Sequence, residues 1–117
     1  MHRSYQLHIR LKKNTSLTVG KLGTFTFPTG WYIYTGSARR QIQNRVARHL
    51  SRKKKMRWHI DYLLAAPHAN IIRVTLTHKE ECCLNQETKG SILVPRFGST
   101  DCRAGCGSHL KFSEREP

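Results

Sequence analysis

The chain predicts one α/β (α+β) domain: a small mixed, mainly antiparallel central sheet flanked by helices, with a β-hairpin inserted at its edge. Three observations lead there. Tyr5, Leu7, Ile9 and Leu11 alternate with Gln6, His8 and Arg10, the period-two pattern of a half-buried strand. Trp31 to Thr35 gathers aromatic and β-branched residues, which suit a pleated surface. From Ala38 to about Ser51 the period changes, and Ile42, Val46, His49 and Leu50 recur at helical spacing.

Taken in order, the first strand runs from Ser4 to Leu11. Leu17 to Phe27 then reads as a hairpin whose turn lies between Gly20 and Gly23. Pro28-Thr29-Gly30 breaks the chain before the next strand, in which Tyr32 and Tyr34 share one face and Trp31, Ile33 and Thr35 the other, because side chains alternate. Gly36 permits a turn where a Cβ would obstruct, and Ser37 is a good N-cap for the basic helix that follows. Arg45, Arg48 and Arg52 line the flank of that helix, and Lys53-Lys54-Lys55-Met56-Arg57 leaves it as a loop. Trp58 to Ala65 predicts a short helix ended by Pro67. Asn70 to Thr77, with Ile71, Ile72, Val74 and Leu76, predicts a third core strand, and Lys79 to Lys89 a helix closed by Gly90. The remainder is Gly- and Ser-rich, mostly loop, with a final edge strand at 108–112. The domain is expected to span 1–113, leaving 114–117 as a flexible tail.

A chain of 117 residues has room for one modest core. No apolar run is long enough to span a bilayer, and Met1-His2-Arg3-Ser4 leads straight into the first strand without a signal-peptide core. A cytoplasmic protein is therefore expected, with Cys82, Cys83, Cys102 and Cys106 as thiols. No Cys-x-x-Cys knuckle is present, and adjacent Cys82-Cys83 on a helix point in different directions, so buried small cysteines are expected in preference to a zinc site with His109.

The formal net charge is +14, and no Asp or Glu precedes Asp61, whereas fourteen of the twenty-one Lys and Arg lie before it. Such segregation favours a polyanion, because neutralising phosphates releases counterions. DNA is the expected partner, branched or damaged forms included. Membrane binding is not expected, as no strongly amphipathic basic helix with exposed aromatics is present. The chain is expected to act as a monomer. Gly36, Ser37, Arg48, Arg52, Lys53, Lys54 and Lys55 are the candidate phosphate contacts.

Tyr34-Thr35-Gly36-Ser37-Ala38 followed by Arg45-Val46-Ala47-Arg48-His49 resembles the GIY-YIG endonuclease superfamily, whose second signature is a Tyr-x-Gly turn before a helix bearing an arginine. The segments 58–64, Glu81-Cys82 and 97–102 resemble a small stand-alone branch of it. The pattern departs where Arg3-Ser4-Tyr5 keeps the first-signature tyrosine and lacks its glycine, and where the hairpin lengthens the path from Tyr5 to Tyr34. The resemblance implies a metal-dependent phosphodiester hydrolase in which Glu81, beside Glu80, holds Mg²⁺ or Mn²⁺, hard ions that suit a carboxylate and water. Arg45 then contacts the scissile phosphate, since a guanidinium forks onto two oxygens and keeps its charge. Tyr5 and Tyr34 supply phenols to the attacking water, and His49 or His59 an imidazole. Read without the resemblance, the two tyrosines pack in a sheet, the glutamates sit in a helix's first turn, and the protein is a non-catalytic basic nucleic-acid-binding module.

Overall fold

The computed structural model describes residues 3–38, 40–51, 53–100, 102 and 104–116. Its elements are β1 (Ser4–Leu11), β2 (Thr15–Val19), β3 (Gly23–Phe27), β4 (Gly30–Ser37), α1 (Ile42–Leu50), α2 (His59–Leu64), β5 (Ala69–Thr77), α3 (Glu81–Glu87) and β6 (Leu110–Ser113). β1, β4, β5 and β6 form an antiparallel sheet in the order β5-β1-β4-β6, while β2 and β3 form a separate two-stranded sheet, pairing among the described residues with each other alone. The small α+β architecture is the expected one. The hairpin, however, packs through α2 and the core and does not extend the central sheet.

Register explains the core. Leu7 lies opposite Tyr34 and Ile9 opposite Tyr32, and cross-strand partners project to the same face. On that face Tyr5, Leu7, Ile9, Leu11 and Tyr32 are at most 1% exposed, roofed by Ile60 and Leu63 of α2, by Val19 and Phe27 of the hairpin, and by Phe97. Each such side chain contributes roughly 1.5–3 kcal/mol by leaving water. The opposite face is polar at β1, where Gln6 Nε2 donates to Thr35 and to Thr88 just beyond α3. α1 thus approaches the sheet from the core side and α3 from the other. The two meet at the end of β4.

Three local expectations change. β4 continues through Gly36 and Ser37, which pair with Tyr5 and Ser4, so Gly36 is a strand residue and not a turn. α1 consequently starts later, at Ile42, after Gln41 in a left-handed conformation (φ 53°); Ser37 does not cap it. β5 is an edge strand and not a core strand, with Ile72 53% exposed, because only β1 pairs with it. No helix among the described residues is long and apolar enough to cross a membrane.

Candidate functional site

A cleft of about 240 Å³ opens at the end of β4. Tyr34, Gly36 and Ser37 enter it from β4, Arg45 from α1, Trp58 from the residue before α2, and Glu81 from α3; Gly98, Cys102 and His109 close it from the segment before β6. A larger cavity of about 290 Å³ lies on the outer sheet face beside His8, Trp31 and Ile72. It holds neither Arg45 nor Glu81 nor a tyrosine of the motif, so chemistry and not size selects the smaller cleft.

Tyr5 lies beneath the cleft and not in it. Its ring is 1% exposed, and a Cβ on Gly36 would sit 2.5 Å from its hydroxyl, so the absent side chain at Gly36 is what lets the phenol rise to the cleft floor. The Tyr5 hydroxyl lies 2.7 Å from His49 Nε2. Burial raises the Tyr5 phenol, against the lowering effect of Arg45, and also raises Tyr34. Burial, with Lys54 nearby, lowers His49 to about 4. At neutral pH the imidazole is therefore neutral, and it shares one hydrogen bond with the Tyr5 hydroxyl through Nε2, leaving Nδ1 as its other ring nitrogen. That nitrogen is buried and has no hydrogen-bond partner among the described residues. His49 is a packing centre too, with ring centroids 5.4 Å from Tyr5, 6.1 Å from Tyr34 and 5.7 Å from Trp58.

The basic residues divide by environment. Arg45 faces the cleft, donates from Nη1 to the Ser37 carbonyl at 2.9 Å, and stacks 4.7 Å from the Trp58 ring centroid. Arg48 lies outside the cleft: its fork grips fully buried Asp61 at 2.9 and 3.0 Å, and its guanidinium also lies over the Trp58 ring, 4.3 Å from the centroid. Lys54 donates to the Arg48 and His49 carbonyls and so satisfies the end of α1. Lys53 and Lys55 are exposed. Arg52 lies outside the described residues. Trp58, which residue-type reasoning does not single out, is thus the plate on which Arg45 is held; its position just before His59 and Asp61 is the one sequence signal for it.

Glu80 and Glu81, indistinguishable in sequence, separate clearly. Glu80 is the N-cap of α3 and accepts weakly from the Cys82 backbone N–H at 3.4 Å. Glu81 lines the cleft, 26% exposed at its side chain, with Oε2 3.5 Å from His109 Nδ1. His49 and His59 separate as well. His59 does not line the cleft; its Nδ1 accepts from the Gly98 backbone N–H at 2.9 Å and its ring packs on Phe97, which fixes the loop that presents Gly98.

The cysteines do not lie scattered in the core. Cys82, Cys102, Cys106 and His109 bring their ligand atoms within 4.8 Å of one another, Cys82 Sγ and Cys102 Sγ being 3.4 Å apart. Cys83 does point elsewhere, toward Glu87, but one cysteine of the adjacent pair is enough for the cluster. Burial opposes ionisation of Cys102, yet the backbone N–H groups of Cys106 and Ala104, with Cys82 and His109, hold its thiol below the ordinary value. Burial likewise opposes charge on His109, but Glu81 and the two nearby sulfurs raise it to about 9.

Fold and cleft define a small basic α+β domain with tyrosine, arginine and glutamate converging at the end of its central sheet. Residues 4–117 match the family model described as "Domain of unknown function DUF123", and the chain belongs to that family. No curated protein and no solved structure matches it.

Proposed function

We propose that the protein is a metal-dependent endonuclease that hydrolyses DNA phosphodiester bonds through a GIY-YIG-type site. One observation carries this reading: Tyr34, Arg45 and Glu81, far apart in sequence and on three different elements, line a single cleft. The segregated positive charge supports a phosphate-rich substrate.

Mg²⁺ or Mn²⁺ fits the cleft, because Glu81 offers a solvent-accessible carboxylate in a space large enough for a hydrated ion. When bound there, the ion supplies Lewis-acid stabilisation of charge on the phosphate oxygens. Arg45 takes the phosphate with the donors not spent on Ser37, and its charge resists the change of state that a lysine undergoes on desolvation. Tyr34 orients the attacking water. Tyr5 and His49 act from behind: a phenol raised by burial and an imidazole lowered by burial have little drive to exchange a proton, so the pair holds Gly36 and Tyr34 in place and leaves proton abstraction to the cleft. The proposed compartment is the cytoplasm, where the four free cysteines stay reduced.

Supercoiled plasmid incubated with the pure protein in Mg²⁺, Mn²⁺ or EDTA tests the proposal. Metal-dependent nicking is expected, and Glu81→Ala and Arg45→Ala should each lower it by about 10²-fold or more while DNA retardation persists. Nicking unchanged in either variant would sink the assignment. A non-catalytic nucleic-acid-binding module is the second reading, favoured by the buried, protonated state of Tyr5; retardation without strand breaks in every metal would establish it.

A further inference from the structure

We propose that Cys82, Cys102, Cys106 and His109 bind one Zn²⁺ in a closed structural site that ties the start of α3 to the segment leading into β6. This goes beyond the nuclease reading and does not rest on it.

Donor type comes first. Three thiolates and an imidazole are a soft set that selects zinc over Mg²⁺ or Mn²⁺, and Cys₃His with no position left open is a structural combination. Spacing comes second. Ligands at about 2.0–2.3 Å from a tetrahedral centre lie roughly 3.3–3.8 Å from one another, and the four ligand atoms here already lie within 4.8 Å, with one S–S separation of 3.4 Å. That separation is also far longer than the ~2.05 Å of a disulfide.

An independent observation comes from His109. The residue is 2% exposed, and neither of its ring nitrogens has a hydrogen-bond partner of ordinary geometry among the described residues. Buried polar atoms are rarely left so, and a metal on one nitrogen would satisfy it. Glu81, 3.5 Å from Nδ1, is then placed as the outer carboxylate that orients a ligand histidine. The site would add a metal link between two parts of the chain that already meet where Asn85 and Gln86 donate to the Ser108 and Ala104 carbonyls: Cys82 in the first turn of α3, and the segment before β6 that carries Cys102, Cys106 and His109.

The test is metal content and spectrum, not nicking, so its failure and that of the nuclease reading are separately visible. The full chain, purified with reductant, should carry one equivalent of Zn²⁺ by inductively coupled plasma mass spectrometry. After removal of the metal, Co²⁺ should produce intense thiolate-to-cobalt absorption that Zn²⁺ abolishes. Cys102→Ser and Cys106→Ser should each weaken Zn²⁺ binding at least tenfold, and Cys83→Ser should leave it unchanged. Where a serine variant does not fold, the wild-type cobalt spectrum still decides. Reduced wild-type protein that takes up no Zn²⁺, cobalt bands without thiolate character, or equal loss in the Cys83 variant would each overturn the site.

Discussion

Of the two glycines that line the cleft, Gly36 leaves less room than Gly98 for a Cβ. A methyl group there would lie 2.5 Å from both the hydroxyl and the ring carbon that carries it on Tyr5, whose ring is enclosed and has nowhere to swing. Gly36→Ala should therefore destabilise the fold by about 1–3 kcal/mol in urea titration, as overpacking does. Combining it with Tyr5→Phe should relieve only part of this, since the ring carbon remains. His49 makes a second residue-scale prediction. Its folded pKa of about 4 lies below the ordinary 6.5, so the fold prefers the neutral ring. That preference contributes fully above pH 6.5 and is lost as pH falls from 6.5 to 4, by up to about 3 kcal/mol at ~1.36 kcal/mol per pH unit. Charged neighbours Lys54, Arg45 and Arg48 oppose protonation and Asp61 favours it. His8 and His59 are lowered too, so the informative quantity is the difference between wild type and His49→Gln. The wild type should lose more stability between pH 7 and pH 4.5 than the variant; parallel curves would contradict the neutral, buried imidazole.

Among elements, the junction of α1 and α2 turns on one carboxylate. Asp61 is fully buried and accepts both arms of Arg48 together with the backbone N–H groups of Arg57 and Trp58, each at 2.8 Å. These contacts hold its acid below the usual carboxylate range in spite of burial. Its contribution is present above the ordinary value and disappears as pH falls through the lowered folded value, below the window assigned to His49. Asp61→Ala should cost about 3–5 kcal/mol, because it leaves Arg48 half-buried without its partner, and thermal melts should report it. The plate under Arg45 is loosened as well, so residual nicking should fall at temperatures where the variant is still folded. This junction shows how far the sequence was legible. Alternation in β1 and β4 named the buried tyrosines, and the glycines of 20–23 placed the hairpin, since both signals are local. The late start of α1 was not legible, because pairing with Ser4 and Tyr5 keeps Gly36 and Ser37 in the sheet against the local preference of Ser37 for a cap. Nor was the structural use of Arg48, whose partner is thirteen residues away. The same applies to the cysteine cluster, which joins α3 to a loop twenty residues on; spacing rules for compact knuckles do not detect such a closure.

For the whole molecule, charge placement governs how a polyanion would meet the cleft. Lys12, Lys13, Lys21, Arg40, Lys53, Lys55 and Arg57 are exposed, and the acids, all from Asp61 onward, include one buried in the Arg48 pair and one lining the cleft. Long-range attraction and chemistry therefore belong to different residues, and ionic strength separates them. If about five phosphates are neutralised, log affinity should fall against log salt with a slope near −4 to −5, which amounts to roughly 10²–10³-fold between 50 and 200 mM. Replacing Lys53 and Lys55 together by alanine should make that slope shallower by about one to two, yet leave the nicking rate of saturated enzyme unchanged, because neither side chain reaches the cleft. Arg45→Ala should do the reverse, lowering the saturated rate while moving the slope by one at most. Fluorescence anisotropy on a short duplex across a salt series, with single-turnover nicking at saturation, measures both quantities. Salt-independent binding would remove the electrostatic basis of the DNA proposal, and a Lys53/Lys55 variant that lost its saturated rate would show that the lysine run acts at the cleft and not only on the approach to it.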